Sequence, residues 1–285
     1  MKFRILYLSL ALLILGCIEK MTLPTAINSN TEFAAGDTTY LIVNPVWDET
    51  YGFVAPIEIS IAPDGHIFVA DSGANCIFVL DQSGNVLSGY DDLKDLDIID
   101  DKVVSPIDVD VDQKMNIYFI DGSDRIYRWN HYWNNVGVES FAAAAVFSNT
   151  ETGDTISLGH KNPLWFELLN HPEWIMTSIE WSNERSVIDS ILGPHVFFDG
   201  SWARNTFADL YYESENNNFS GIAATLDSDN YIYAQDYHHN RIIKILLERS
   251  QYIQLSNGEF VWVHSGTFGQ TVTAEGTGAG TVNLP

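Results

Sequence analysis

The sequence predicts an all-β repeat protein. Three segments align without a gap: 56–71 (PIEISIAPDGHIFVAD), 106–121 (PIDVDVDQKMNIYFID) and 221–236 (GIAATLDSDNYIYAQD). Each opens with apolar residues at every second position: Ile57, Ile59 and Ile61; Ile107, Val109 and Val111; Ile222, Ala224 and Leu226. That alternation marks a strand with one face turned inward. Each segment then turns, at Pro63-Asp64-Gly65, at Gln113 to Asn116 and at Ser228-Asp229-Asn230. A second strand (IFVA, IYFI, IYAQ) closes on Asp71, Asp121 or Asp236, and a polar loop leads to a third strand (NCIFVL, DRIYRW, NRIIKI). One hairpin cannot bury both its faces. Several side by side can, and radial closure leaves few open edges.

Composition supports a sizeable core. Of 285 residues, 46% are hydrophobic and 13% aromatic, which excludes global disorder. The formal charge of -24, from 14 basic and 38 acidic residues, repels a nucleic-acid backbone, and no basic patch is visible along the chain. Acidic surfaces of this kind fit solubility or divalent cations.

In chain order, MKFRILYLSLALLILGC comes first. Lys2 and Arg4 precede an apolar run from Ile5 to Leu15 that is too short to span a bilayer comfortably. Charged start, apolar middle and small-residue end are those of a secretory signal. Ile14-Leu15-Gly16-Cys17 resembles a bacterial lipoprotein lipobox. The resemblance implies cleavage after Gly16 (signal peptide 1–16) and lipidation of Cys17, which would anchor the chain extracytoplasmically in the bacterial cell envelope. Ile18 stands where an inner-membrane retention signal would have Asp, so the outer membrane is expected in a Gram-negative cell. Several acyl chains on one residue hold stably where a single chain does not. Residues 17–45, rich in Thr, Asn, Ser and Gly, read as anchor and tether to a domain over 46–285. With Cys17 acylated, Cys76 is left alone, so no disulfide framework is expected; in its apolar run Cys76 reads as a small buried hydrophobe.

The three repeats (56–90, 106–130 and 221–264) resemble the NHL repeat. The first keeps Asp64-Gly65, Val69-Ala70-Asp71 and Asn75; the second keeps Pro106, Asp112, Asp121 and Arg125-Ile126; the third keeps Asp227, Asp236 and Asn240-Arg241-Ile242. Glu58 and Asp108 replace a usual Gly, and Cys76 replaces a usual Arg. The resemblance implies a β-propeller of four-stranded antiparallel blades. Six blades are expected for the family, and the ring is incomplete in this chain. Pro285 aligns with Pro56 and Pro106, so the sequence is expected to stop where another blade begins, as a fragment would. Asp71, Asp121 and Asp236, where the second strand enters a loop, are expected to accept backbone N–H bonds of the turn, each worth ~1 kcal/mol net.

Residues 131–219 break the repeat and read as a degenerate blade or a lid-like insert, irregular or partly helical. FAAAAVF is apolar, Ile175, Ile179, Val187 and Ile191 fall near helical spacing, and HVFFD returns to strand character. Insertions in propellers fall in loops and often shape binding. Trp202, Tyr211 and Tyr212 are candidates to stack on a sugar or peptide, or else core residues of a diverged blade.

The chain has no Gly-x-Ser-x-Gly, His-Glu-x-x-His, phosphate loop or Cys-x-x-Cys. The resemblance places the start of the inner strand and the loop after the second strand on one face beside the channel. Glu58, Asp108, Asp236, His238 and His239 would share that face, where oxygen ligands suit Ca²⁺. Gluconolactonase-like propellers hold a divalent metal there, and peptidyl-hydroxyglycine lyases hold zinc with His from several blades. Here a single blade offers His, so the lyase pattern is unmatched. The expected function is a binding or scaffolding module for a protein or carbohydrate ligand, with no catalytic residue and no cofactor; the alternative is a metal-dependent hydrolase using Ca²⁺.

Overall fold

A computed structural model of the chain describes residues 47, 49–96, 99–134, 136–200, 217–224, 231–273 and 276. All lie in the second of two compact units, Met1–Val43 and Asn44–Pro285. The signal and tether, Cys17, Trp202, Tyr211 and Tyr212 fall outside the described residues.

The described residues form four antiparallel sheets. Sheet I holds β1 (Pro56–Ile61), β2 (Ile67–Asp71) and β3 (Cys76–Leu80) in chain order. A bridge between Leu80 and Val86 starts a fourth strand that goes no further. A short helix α1 (Asp91–Lys94) leads to sheet II: β4 (Asp108–Val111), β5 (Asn116–Ile120) and β6 (Arg125–Asn130). Sheet III is a complete four-stranded meander of β11 (Phe219–Ala224), β12 (Tyr231–Asp236), β13 (Arg241–Gln254) and β14 (Phe260–Thr273). These meanders are of the kind that builds β-propellers.

The turns between first and second strands match in the first two repeats. Gly65 and Met115, aligned in the sequence, both adopt left-handed backbone, at φ +87° and +59°. Glycine does so at little cost, whereas Met115 is strained there.

Packing follows the alternation. Val109 and Val111 on β4 join Phe68, Ala70, Ile77 and Val79 of sheet I in one buried cluster. Ile222 and Ala224 on β11 pack against the cluster of Tyr118, Ile120 and Ile126 from sheet II. Each inner strand thus turns its apolar residues to the preceding sheet. Sheet II is covered on both sides, so β5 is buried throughout and reads as a continuous apolar run. The corresponding residues of β1 do not meet the expectation of burial: Ile57, Ile59 and Ile61 are 54%, 51% and 70% exposed, because no preceding sheet exists among the described residues.

Residues 131–199 show how the break in the repeat is accommodated. β10 (His195–Asp199) pairs with β6 and completes sheet II as its fourth strand. Between them, after a short helix α2 (His131–Asn134), a separate sheet forms from β7 (Phe141–Asn149), β8 (Thr155–Gly159) and β9 (Trp174–Ser182) in the order β8-β7-β9. It carries α3 (Leu164–Leu169) and α4 (Arg185–Leu192). The helical spacing holds for Val187 and Ile191, both in α4, and fails for Ile175 and Ile179, which lie on a strand. Register shifts opposite β9, at Ala142/Ala144 and Val146/Phe147, break its period of two and hide it. Val138, Phe141, Ile188 and Ile191 of this insert pack on Ile253, Leu255, Val261 and Val263 of the long β13–β14 hairpin. None of the described helices is long and apolar enough to cross a membrane.

Candidate functional site

The loop aspartates hold the scaffold. Asp71 is fully buried; its Oδ1 accepts the N–H of Ala55 (2.8 Å), Gly73 (3.0 Å) and Ala74 (2.9 Å), and its Oδ2 that of Val54 (2.8 Å). One carboxylate therefore ties the loop after β2 to the segment before β1. Asp121 accepts from Ser123 N–H and from the Tyr127 hydroxyl. Asp236, also fully buried, accepts from Asn218 N–H (3.1 Å), His239 Nδ1 (2.7 Å) and Arg241 Nε (2.9 Å). Arg241 continues to Asn217 Oδ1 at 3.0 Å. His239 Nδ1 is engaged by this carboxylate, and exposed His238 sets its ring edge-on to His239 at 4.9 Å. Asp236 and His239 belong to a buried hydrogen-bonded network in which His239 Nε2 has no partner among the described residues.

Glu58 and Asp108 do come together, on the inner strands β1 and β4. Burial raises the Asp108 carboxyl from 3.8 to about 6, opposed by its hydrogen bonds, with the Glu58 and Asp110 charges adding to the rise. Asp108 Oδ2 accepts the N–H of Ile222 on β11 at 2.7 Å, and Oδ1 that of Val109 at 2.7 Å. Two residues on, Asp110 Oδ2 accepts the N–H of Ala224 at 2.8 Å, and its Oδ1 accepts the Ser60 hydroxyl of β1 at 2.9 Å. The alternating carboxylates of β4 therefore satisfy two N–H groups on the free edge of β11 and tie three inner strands together. Asp108 and Asp110 thus reach from their own sheet to the backbone of the next.

Beside Asp108 an open recess of about 270 Å³ runs along the inner edge of sheet III. Its wall is apolar backbone and side chain from Gly221, Ile222, Ala223, Ala234 and Ile242, with Tyr233 and Gln235 as further polar groups. Asp236 follows Gln235 on β12 and so points to the other side of the strand. Asp110, Ser60, Tyr233 and Gln235 escaped the sequence reading. The signal was the Asp-Val-Asp-Val of β4, two acids alternating with two apolar residues that are buried, Val109 and Val111. Among the described residues no group of three or more His, Cys, Asp or Glu is arranged to hold a metal ion.

No family model matches the chain, and no curated protein matches it. Among solved structures it is similar to virginiamycin B lyase from Staphylococcus aureus, with a TM-score of 0.29, 10% identity, and coverage of 73% of this chain and 40% of that one. A streptogramin B lyase structure gives 0.27, 13%, 73% and 62%. A catalytically inactive Staphylococcus aureus virginiamycin B lyase with quinupristin gives 0.21, 13%, 73% and 69%. The chain spans less than two thirds of the length of the first two. A likeness of this degree assigns no role to any residue.

Proposed function

We propose that the chain is a lipid-anchored, extracytoplasmic propeller of the NHL type that acts as a binding module, and that its ligand seats in the recess beside Asp108. The recess carries the reading: apolar walls with a few convergent polar groups, here a carboxyl, a phenol and an amide, are the make-up of a ligand site. Such groups suit a carbohydrate or a peptide segment, whose hydroxyls or amides donate to Asp108 and Gln235 while its apolar face lies on Ala223 and Ile242. The Cys17 lipid would hold this surface at the envelope.

The alternative, a hydrolase of the gluconolactonase-like kind, is favoured by one observation: Asp108, with its raised pKa, lies beside a second carboxyl, Glu58. Full chain in detergent, applied to glycan and peptide arrays, tests the binding reading. Ala223 is exposed on the recess wall, so Ala223→Trp fills the recess without entering the core. A ligand bound by the native chain and lost in Ala223→Trp supports the site; retention by a folded Ala223→Trp variant refutes it. Lactone turnover abolished by Glu58→Gln and Asp108→Asn would establish the hydrolase instead.

A further inference from the structure

The joint between neighbouring sheets is built twice in this chain, and each half of it is also left open once. In the first joint, Val109 and Val111 of β4 share a buried cluster with Phe68 and Ala70 of β2. In the second, Ile222 and Ala224 of β11 pack on Tyr118 and Ile120 of β5. The gapless alignment makes these the same contact: Ile59, Val109 and Ala224 are one position of the repeat, and Phe68, Tyr118 and Tyr233 are another. An inner strand offers alternate apolar residues, and the second strand of the preceding sheet receives them.

Sheet III presents the receiving half uncovered. Phe68 and Tyr118 are buried, whereas Tyr233 is half-buried and Ala223 and Leu246 are exposed. Ala223, Tyr233 and Lys244 are register partners across β11, β12 and β13, so they share one face of the sheet. The recess beside Asp108 opens on that face, between Ala223, Tyr233, Gln235 and Ile242. β1 presents the offering half uncovered. Ile57, Ile59 and Ile61 are each more than half exposed, and Val54 just before them is exposed as well. Sheet II stands between these two surfaces and is itself covered on both sides by the joints it makes. A row of branched aliphatic side chains on an open strand marks an interaction surface.

We propose that β1 of a second copy seats on the open face of sheet III, so that two copies join through two identical joints. The proposal rests on the recess being a binding site and names its ligand: an extended strand with branched aliphatic residues at every second position. The choice of a second copy follows from the chain itself, because the complement of the open face is its own β1, in the register that both internal joints use. By that register Ile59 of one copy meets Tyr233 of the other. A two-fold axis makes the contact reciprocal, so neither face is left over. Two copies of sheets I, II and III make six sheets, the blade number that the NHL resemblance implies.

The test uses the full chain in detergent. Light scattering that separates protein from detergent mass is expected to give two chains per particle. Ile59→Lys, at a residue exposed in the single copy, is expected to keep the native circular dichroism and to weaken the association on the order of a hundredfold. Ile59→Cys and Tyr233→Cys, made separately and then mixed with a short bis-maleimide, are expected to give a covalent dimer with one chain of each kind; Cys76 is buried and does not compete. One chain per particle in the native protein, an undiminished dimer in Ile59→Lys, or no mixed cross-link overturns the proposal. Array ligands bound by such a single chain and lost in Ala223→Trp would overturn the second copy alone and leave the recess as the binding site.

Discussion

Asp236 and Asp108 are the same residue type in equivalent hairpins of neighbouring sheets, and they do opposite work. Asp236 sits where a second strand enters its loop and spends both oxygens on Asn218, His239 and Arg241. Asp108 sits on an inner strand, holds two backbone N–H groups, and still borders open space beside Tyr233 and Gln235. A saturated carboxylate fixes the scaffold; one with acceptor capacity left at a recess is available to a ligand. Position within the repeat decides which.

The largest effect that can break this comparison is expected at Asp236. Asp236→Ala leaves Arg241 buried without its carboxylate partner, and a loss of about 3–5 kcal/mol is expected in urea unfolding. Asp71→Ala leaves four loop N–H groups without their acceptor and is expected to cost about 2–4 kcal/mol. If either variant unfolds like the native chain, the loop carboxylates are not the scaffold.

Asp108 is expected to behave in the opposite sense. Its folded-state pKa is raised, so the folded protein holds the proton more tightly than the unfolded chain does. Stability contributed by this group is therefore present at low pH and is lost as pH rises from about 4 to about 6. Asp108→Asn should flatten that part of the stability profile, which thermal melts across the interval would read. The smallest effect is a chemical one. Cys76 is buried, and burial, with the Asp71 charge added, pushes its thiol up to about 12. Iodoacetamide should leave it unlabelled at pH 8 until urea unfolds the chain.

Most of the repeat was legible in the sequence because alternation and turn chemistry are local. Ile107 to Val111 and Ile222 to Ala224 announce their strands, and the aligned turns at Gly65 and Met115 fix where each hairpin reverses. Three things were not legible. β10 pairs with β6 across the whole insert, and nothing near His195–Asp199 says which sheet it joins. Trp174–Ser182 mimics helical spacing because register shifts interrupt its alternation. The exposure of Ile57, Ile59 and Ile61 depends on a neighbour, and a strand's own pattern names its apolar face without saying what covers it. At the site, Glu58 and Asp108 were visible as acids in place of glycine. That Asp236 is taken up by Asn218, His239 and Arg241 was not, because it depends on how the loop after β12 folds back on the segment before β11.

The central claim, that Asp108 is a carboxyl held at a recess rather than one more loop clamp, is most directly tested by a carboxyl ¹³C NMR titration. The account predicts a midpoint near 6 for Asp108, with the Ile222 amide proton shifting at the same midpoint because its N–H binds the titrating oxygen. A midpoint near the ordinary 3.8, or an Ile222 amide that does not follow it, would contradict the account.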